Sequence, residues 1–173
     1  MAIDPIVSAG TQVNPQFWLN AANQAIRTEC GWHVAPIITE DLVLDGTGGK
    51  NLLVPSLRIR EVVSAKSNDQ DVTDQVKFSR RAGVLTLASG WSCEVGSIEL
   101  TIRHGFEVDE VPDLAALIVT LTKRAASSGA IVQQAIGSAS MKLAVSREGA
   151  ALGVPLLEAE KATLAPYRLN WGS

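Results

Sequence analysis

Residues 97–121 read SIELTIRHGFEVDEVPDLAALIVTL, and the hydrophobic period changes once within them. From Ser97 to Arg103 the period is two. Ile98, Leu100 and Ile102 fall on one side and Glu99, Thr101 and Arg103 on the other, the pattern of a strand with one buried and one wet face. After Val111-Pro112-Asp113 the period approaches that of a helix, with Leu114, Leu117, Ile118, Leu121 and Ala125 on one face. Pro112 stands in the first turn, where its missing N–H costs nothing, and Asp113 suits the positive end of the helix dipole. Lys123 and Arg124 suit the opposite end, and Ser127-Ser128-Gly129 stops the pattern, which predicts a helix over about 112–127. A half-buried strand running straight into an amphipathic helix predicts a sheet packed against helices.

Upstream, the period of two holds across about 37–106, with runs broken by Gly, Asp, Asn and Ser clusters. Strands are expected at Ile38 to Leu44, Leu52 to Val54, Leu57 to Ala65, Val76 to Phe78, Val84 to Leu87 and Ser97 to Arg103. Asp45-Gly46-Thr47-Gly48-Gly49 and Arg81-Ala82-Gly83 supply residues that tolerate the positive φ of tight connections. An antiparallel sheet follows. Asn14-Pro15 opens a further helix that Gly31 stops after Cys30, with Phe17, Ala21, Ala25 and Trp18, Ala22, Ile26 at helical spacing. Residues 1–13 lack a period and read as a flexible arm that only a partner would order. Downstream, 128–154 is a variable segment in which Ile131 to Val145 stays open between a strand pair and an irregular loop. A short helix over 155–165 ends at Pro166, and 167–173 forms a tail. The fold class expected is α+β: one domain over 14–166, with N-terminal, central and C-terminal helices packed on an inserted antiparallel sheet.

The 173 residues, 46% hydrophobic and 19% charged, suit one packed core rather than a disordered chain. A net charge of −3 with a pI near 5.4 argues against a protein devoted to neutralising phosphates. No apolar run approaches the roughly 20 residues of a membrane span, and the first ten residues lack the order of a secretion signal. The expectation is a chain made in the cytosol, with Cys30 and Cys93 free and buried.

The chemical motifs are weak. Cys30, His33, Cys93 and His104 match the inventory of a zinc site but lack its paired spacing, so no metal is expected. Cys30 sits at a helix C-terminus, where the dipole disfavours a thiolate, so a Cys–His hydrolase is the least favoured reading. Asp45 to Lys50 lacks the spacing of a phosphate loop, and Asp69, Asp71 and Asp74 lack that of a calcium loop; neither implies a cofactor. Arg58, Arg60, Arg80, Arg81 and Arg103 could form a basic patch, but Glu61, Glu94 and Glu99 interleave with them. The notable feature is instead the placing of large rings: Trp32 after a helix stop, Trp91 in a Ser-Gly loop, Trp171 two residues from the end of the sequence. With Trp18 and Tyr167 they are the candidate interface residues, since such rings anchor protein contacts. The alternative for Trp32 is that it folds onto its own core.

Three stretches carry a resemblance. Residues 25–36 read AIRTECGWHVAP, a helix ending in a Cys-Gly-Trp-His turn that passes through proline into the sheet; Asp41 to Gly46 precedes a glycine closure and Leu52-Leu53-Val54-Pro55. Arg103-His104-Gly105-Phe106 leads through acids into Val111-Pro112-Asp113, and Ala165 to Leu169 closes the match. In that order they resemble the head-to-tail connector (adaptor) proteins of tailed phages. The resemblance implies a non-enzymatic virion protein, a ring of about twelve copies below the portal, closed by head-to-tail contacts. Implied partners are the portal protein, a downstream neck or tail-completion protein, and genomic double-stranded DNA passing without sequence specificity. A neck or tail-completion protein that binds the connector is the alternative.

Overall fold

The computed structural model describes residues 14–128 and 154–170. Helix α1 spans Pro15–Cys30; the Asn14 side chain accepts from Phe17 N at 3.0 Å, and Gly31, with φ 77°, ends the helix by donating to Arg27 O. The strands are β1 (Ile38–Leu44), β2 (Asn51–Leu53), β3 (Ile59–Ser67), β4 (Gln70–Asp71), β5 (Val76–Phe78), β6 (Val84–Leu87) and β7 (Ile98–His104). Helix α2 covers Pro112–Ser128, and α3 covers Glu158–Leu164, running into a 3₁₀ turn at Ala165–Tyr167 that contains Pro166. The expected α+β class holds.

All pairings are antiparallel, but the strands divide between two sheets where the sequence reads as one. The larger has the order β1-β7-β3-β4 and the smaller the order β2-β6-β5. Strand β7 is central in the first, and its buried face consists of Ile98, Leu100, Ile102 and His104, as its alternation predicts. Each such aliphatic chain contributes about 1.5–3 kcal/mol by leaving water. Strand β3 begins at Ile59 rather than Leu57, and two irregularities in its pairing with β7, between Ile59 and Glu61 and between Val62 and Ser64, break its alternation. Strand β4 is too short to give a period, and only its place beyond β3 reveals it.

Two cores result. The sheet core holds Leu52, Val54, Ile59, Leu85, Leu87, Trp91, Ile98, Leu100 and Ile102; the helical core holds Ala22, Ile26, Cys30, Trp32, Val34, Val111, Leu114, Leu121 and Leu164. The chain between α1 and β1 joins them. Val34 takes φ 66°, a left-handed conformation that costs a β-branched residue on the order of 1–3 kcal/mol. Burial holds it there, as does its carbonyl, which accepts from Phe106 N at 2.8 Å. Gly105 N donates to Arg58 O at 2.9 Å, so the end of β7 is fastened to both layers.

Two expectations need correction. Trp32 and Trp91 are not exposed: they are 6% and 3% accessible, one in each core. Cys93 is exposed, since the segment between Trp91 and Ile98 turns outward, whereas Cys30 is buried as expected. The proposed arm 1–13, the segment 129–153 and Trp171 lie outside the described residues.

Candidate assembly surfaces

The candidate rings do not share one surface. Trp32 donates its Nε1–H to Tyr167 O at 2.7 Å and stacks obliquely on Phe106, with centroids 6.0 Å apart. Tyr167 meets Phe106 edge-on at 5.7 Å, and its hydroxyl donates to the Asp113 carboxylate at 3.0 Å. Burial first, then that carboxylate, pushes the phenol up to about 12. These two residues therefore bind the chain's own C-terminal segment to α2 and to the start of the sheet. Leu169 N donating to Cys30 O at 2.9 Å and Arg124 holding Glu160 at 2.7 Å complete that fastening. Trp91 fills the other core, and its indole N–H has no acceptor among the described residues. Trp18 is half-buried on α1, edge-on to Phe17 at 5.2 Å, and like the half-buried Tyr167 it keeps an accessible flank.

Surfaces that local spacing did not single out lie elsewhere. Among the described residues strand β1 is an edge, paired with β7 alone, and an unpaired edge offers N–H and C=O groups to another strand. Its outward residues are Thr39, Asp41 and Val43; Val43 is 70% exposed in a row of polar neighbours. Thr101 donates to Asp41 at 2.7 Å and Lys66 pairs with Glu99 at 2.9 Å, which keeps the rest of that face polar. The outward side of α2 presents Ala115, Ala116, Val119 and Ala126, with Lys123 among them. The signal for both was present: an aliphatic at an outward strand position, and alanines on the helix face opposite Leu114 and Leu121.

Cys30 and His104 sit in settings that suppress reactivity. Burial, then the nearby Glu29 carboxylate, pushes the Cys30 thiol up to about 11. His104 is fully buried. Its Nε2 lies 3.0 Å from Glu40 Oε2, a charge contact poorly aligned for a hydrogen bond, and desolvation holds the imidazole below its usual value despite that carboxylate. His33 bonds Pro36 O through Nε2 at 2.5 Å, and its ring centroid is 6.0 Å from that of His104. Cys93 is in another loop. No group of three or more His, Cys, Asp or Glu side chains is arranged to hold a metal among the described residues. The loop Asp45 to Lys50 spends its N–H groups internally: Gly46 N donates to Glu94 O and Gly48 N to Ser92 O.

The sequence-level basic patch separates into parts. Arg58 and Arg60 both grip Glu110, the former at 2.8 Å, and the Glu107 N–H first, then these two guanidiniums, hold its carboxyl below the usual range. Arg58 also lies 5.5 Å above the Phe106 ring. Arg80 and Arg81 stand apart, in the turn between β5 and β6.

No protein-family model matches the chain, and no curated protein sequence does. Solved structures do. A chain from the neck of a native GTA particle, computed with C12 symmetry, has a TM-score of 0.54 and 15% identity, over 91% of this chain and 82% of that one. One from the neck of an empty GTA particle, computed with C6 symmetry, has 0.54 and 16%, over 93% and 81%. At such identities the likeness is one of fold, and it extends through both cores.

Proposed function

We propose that the chain is a structural protein of a virion neck, forming a ring below the portal that joins the DNA-filled head to the tail and extends the DNA exit channel. The observation that carries this reading is the fold likeness to chains of GTA necks over 91% of the protein. The connector-like order of its turns adds to it. The suppressed thiol of Cys30 and the buried His104 support a role without catalysis. In this reading residues 14–166 act as one domain, while the arm 1–13, the tail 167–173, Trp18 and the β1 edge meet neighbouring copies, the portal protein and the next neck protein. Ring formation from about twelve copies requires a head-to-tail contact, in which one surface meets a different one on the neighbour. A place lower in the neck, against the connector instead of the portal, is the second reading, since likeness to neck chains fixes no position within the neck.

Light scattering and electron microscopy of the purified chain, alone and with portal rings, test this. The expected result is monomer or weak association alone and a closed ring on the portal. A chain that ignores portal at high concentration overturns the upper position, and one that also ignores isolated connector-bearing heads overturns the neck role.

A further inference from the structure

The smaller sheet has a charge distribution unlike that of the whole chain. Residues 50–56 and 76–90, which build it, contain Lys50, Lys77, Arg80 and Arg81 and no Asp or Glu, in a protein of net charge −3. All four are exposed, and none has an ion pair among the described residues. Elsewhere the described cations are largely spent: Arg58, Arg60, Lys66, Arg124, Lys161 and Arg168 each face a carboxylate.

The register places Lys77 on the outward face, with Lys50, Arg80 and Arg81 just beyond the paired residues. Val76, Phe78, Leu85 and Leu52 face the sheet core, so Lys77 points outward in a row with Thr86 and Asn51, which bond each other at 2.9 Å. Arg80 and Arg81 follow in the turn after Phe78, three and four residues from Lys77, so within about 10–13 Å of it at some 3.3 Å per residue. Lys50 lies at the other end, its carbonyl accepting from Leu87 N. The nearest acids in sequence are Asp45, which accepts from Gly96 N, and Asp74, in the turn before β5.

We infer that the outer face of this sheet, with the turn at Arg80 and Arg81, is a sequence-independent contact surface for the phosphates of duplex DNA. Lysine and arginine beside hydroxyl and amide groups are the side chains that hold phosphates. The face has no helix to enter a groove and no outward aromatic ring to stack on an unpaired base, which leaves backbone contact alone. Confining attraction to a few cations keeps the affinity weak and its salt dependence modest, because the slope scales with the number of phosphates neutralised. Placing this face on a channel wall rests on the neck reading; the binding does not.

The test is fluorescence anisotropy of the full chain with a labelled duplex of arbitrary sequence, about 30 base pairs long, from about 20 to 200 mM salt. Expected is weak binding with a log–log salt slope of roughly −2 to −4, unchanged when the sequence is scrambled. R80Q/R81Q should weaken it at least about fivefold and flatten the slope by about two units, and K77Q, at an outward mid-strand position, by about one. R103Q, which removes an exposed cation from the other sheet, should leave it unchanged. Absence of binding at the lowest salt overturns the inference, as does an equal loss in R103Q. So does salt-sensitive self-association abolished by R80Q/R81Q without DNA binding, which would assign the face to an acidic protein surface. Binding in the free chain is separable from portal docking, so either reading can fail without the other.

Discussion

Cys30 and Cys93 carry the same thiol in opposite surroundings. Cys30 is packed under Leu169 and the helical core with its pKa pushed up to about 11, while Cys93 stands in an exposed loop. Ellman's reagent at pH 8 should therefore titrate one thiol rapidly in the native protein and two in denaturant, and C93A should silence the native reaction. The sequence reading had both buried, because a cysteine's usual hydrophobic placement says nothing about a loop that turns outward. His104 makes a second residue-level prediction. Its pKa is lowered, chiefly by burial and slightly by His33, against the pull of Glu40. Between the folded value and about 6.5 the unfolded chain binds the proton and the folded one does not, so stability is full at neutral pH and falls as pH drops below about 6.5. One proton limits the slope to about 1.4 kcal/mol per pH unit. The lowered carboxyls of Glu110, Glu158 and Glu160 act only below about 4.5, a separate window. Urea unfolding at a series of pH values should show the upper slope, and His104→Leu should flatten it while leaving the lower one.

At the scale of elements, the β5–β6 connection depends on Gly83. Its φ is 59°, and a Cβ there would lie 2.1 Å from Ser56 O and 2.7 Å from Val54 O, both backbone atoms that cannot swing aside. Gly83→Ala should cost roughly 2–4 kcal/mol from strain and overlap together, measured as a lower urea midpoint. Gly96, also at positive φ but with nothing near, should lose only about 1 kcal/mol on the same change. Most element boundaries were legible within two residues, because α1, α2 and β7 carry their own caps, prolines and periods. The shift of β3 was not, since pairing irregularities against β7 set its phase, and β4 carries too few residues for any period. The burial of Trp32 and Trp91 was not legible for a related reason. Trp32 follows a helix stop and Trp91 a Ser-Gly loop, and whether such a ring turns in or out depends on segments far along the chain: Tyr167 O, 135 residues away, accepts from Trp32. Trp32→Phe, which keeps a ring but deletes that donor, should cost about 1 kcal/mol in thermal denaturation, beyond the volume lost.

The division of the strands into two sheets lies at the largest scale. It follows from the partnering of β2 with β6 and β1 with β7 across spans that hydrophobic period cannot encode, so the α+β class was readable while the topology was not. The same long-range links decide whether the protein unfolds in one step. The sheet and helical cores share no buried residue, yet Phe106 N is held by Val34 O, Gly105 N by Arg58 O, and Glu110 by two arginines of the sheet layer. These ties cross between layers at the end of β7, so opening the helical core removes the support that keeps Val34 in its strained conformation and uncovers the buried His104. The two cores should then behave as one cooperative unit. Leu121→Ala, deep in the helical core, should cost about 2–5 kcal/mol, and Leu85→Ala, deep in the sheet core, a similar amount. Native-state hydrogen exchange distinguishes the cases. In a single unit, Leu121→Ala accelerates the slowest amides of β7 by the same factor as those of α1 and α2; acceleration confined to the helices would mean that the layers open independently and that the ties at Gly105 and Phe106 are too weak to couple them.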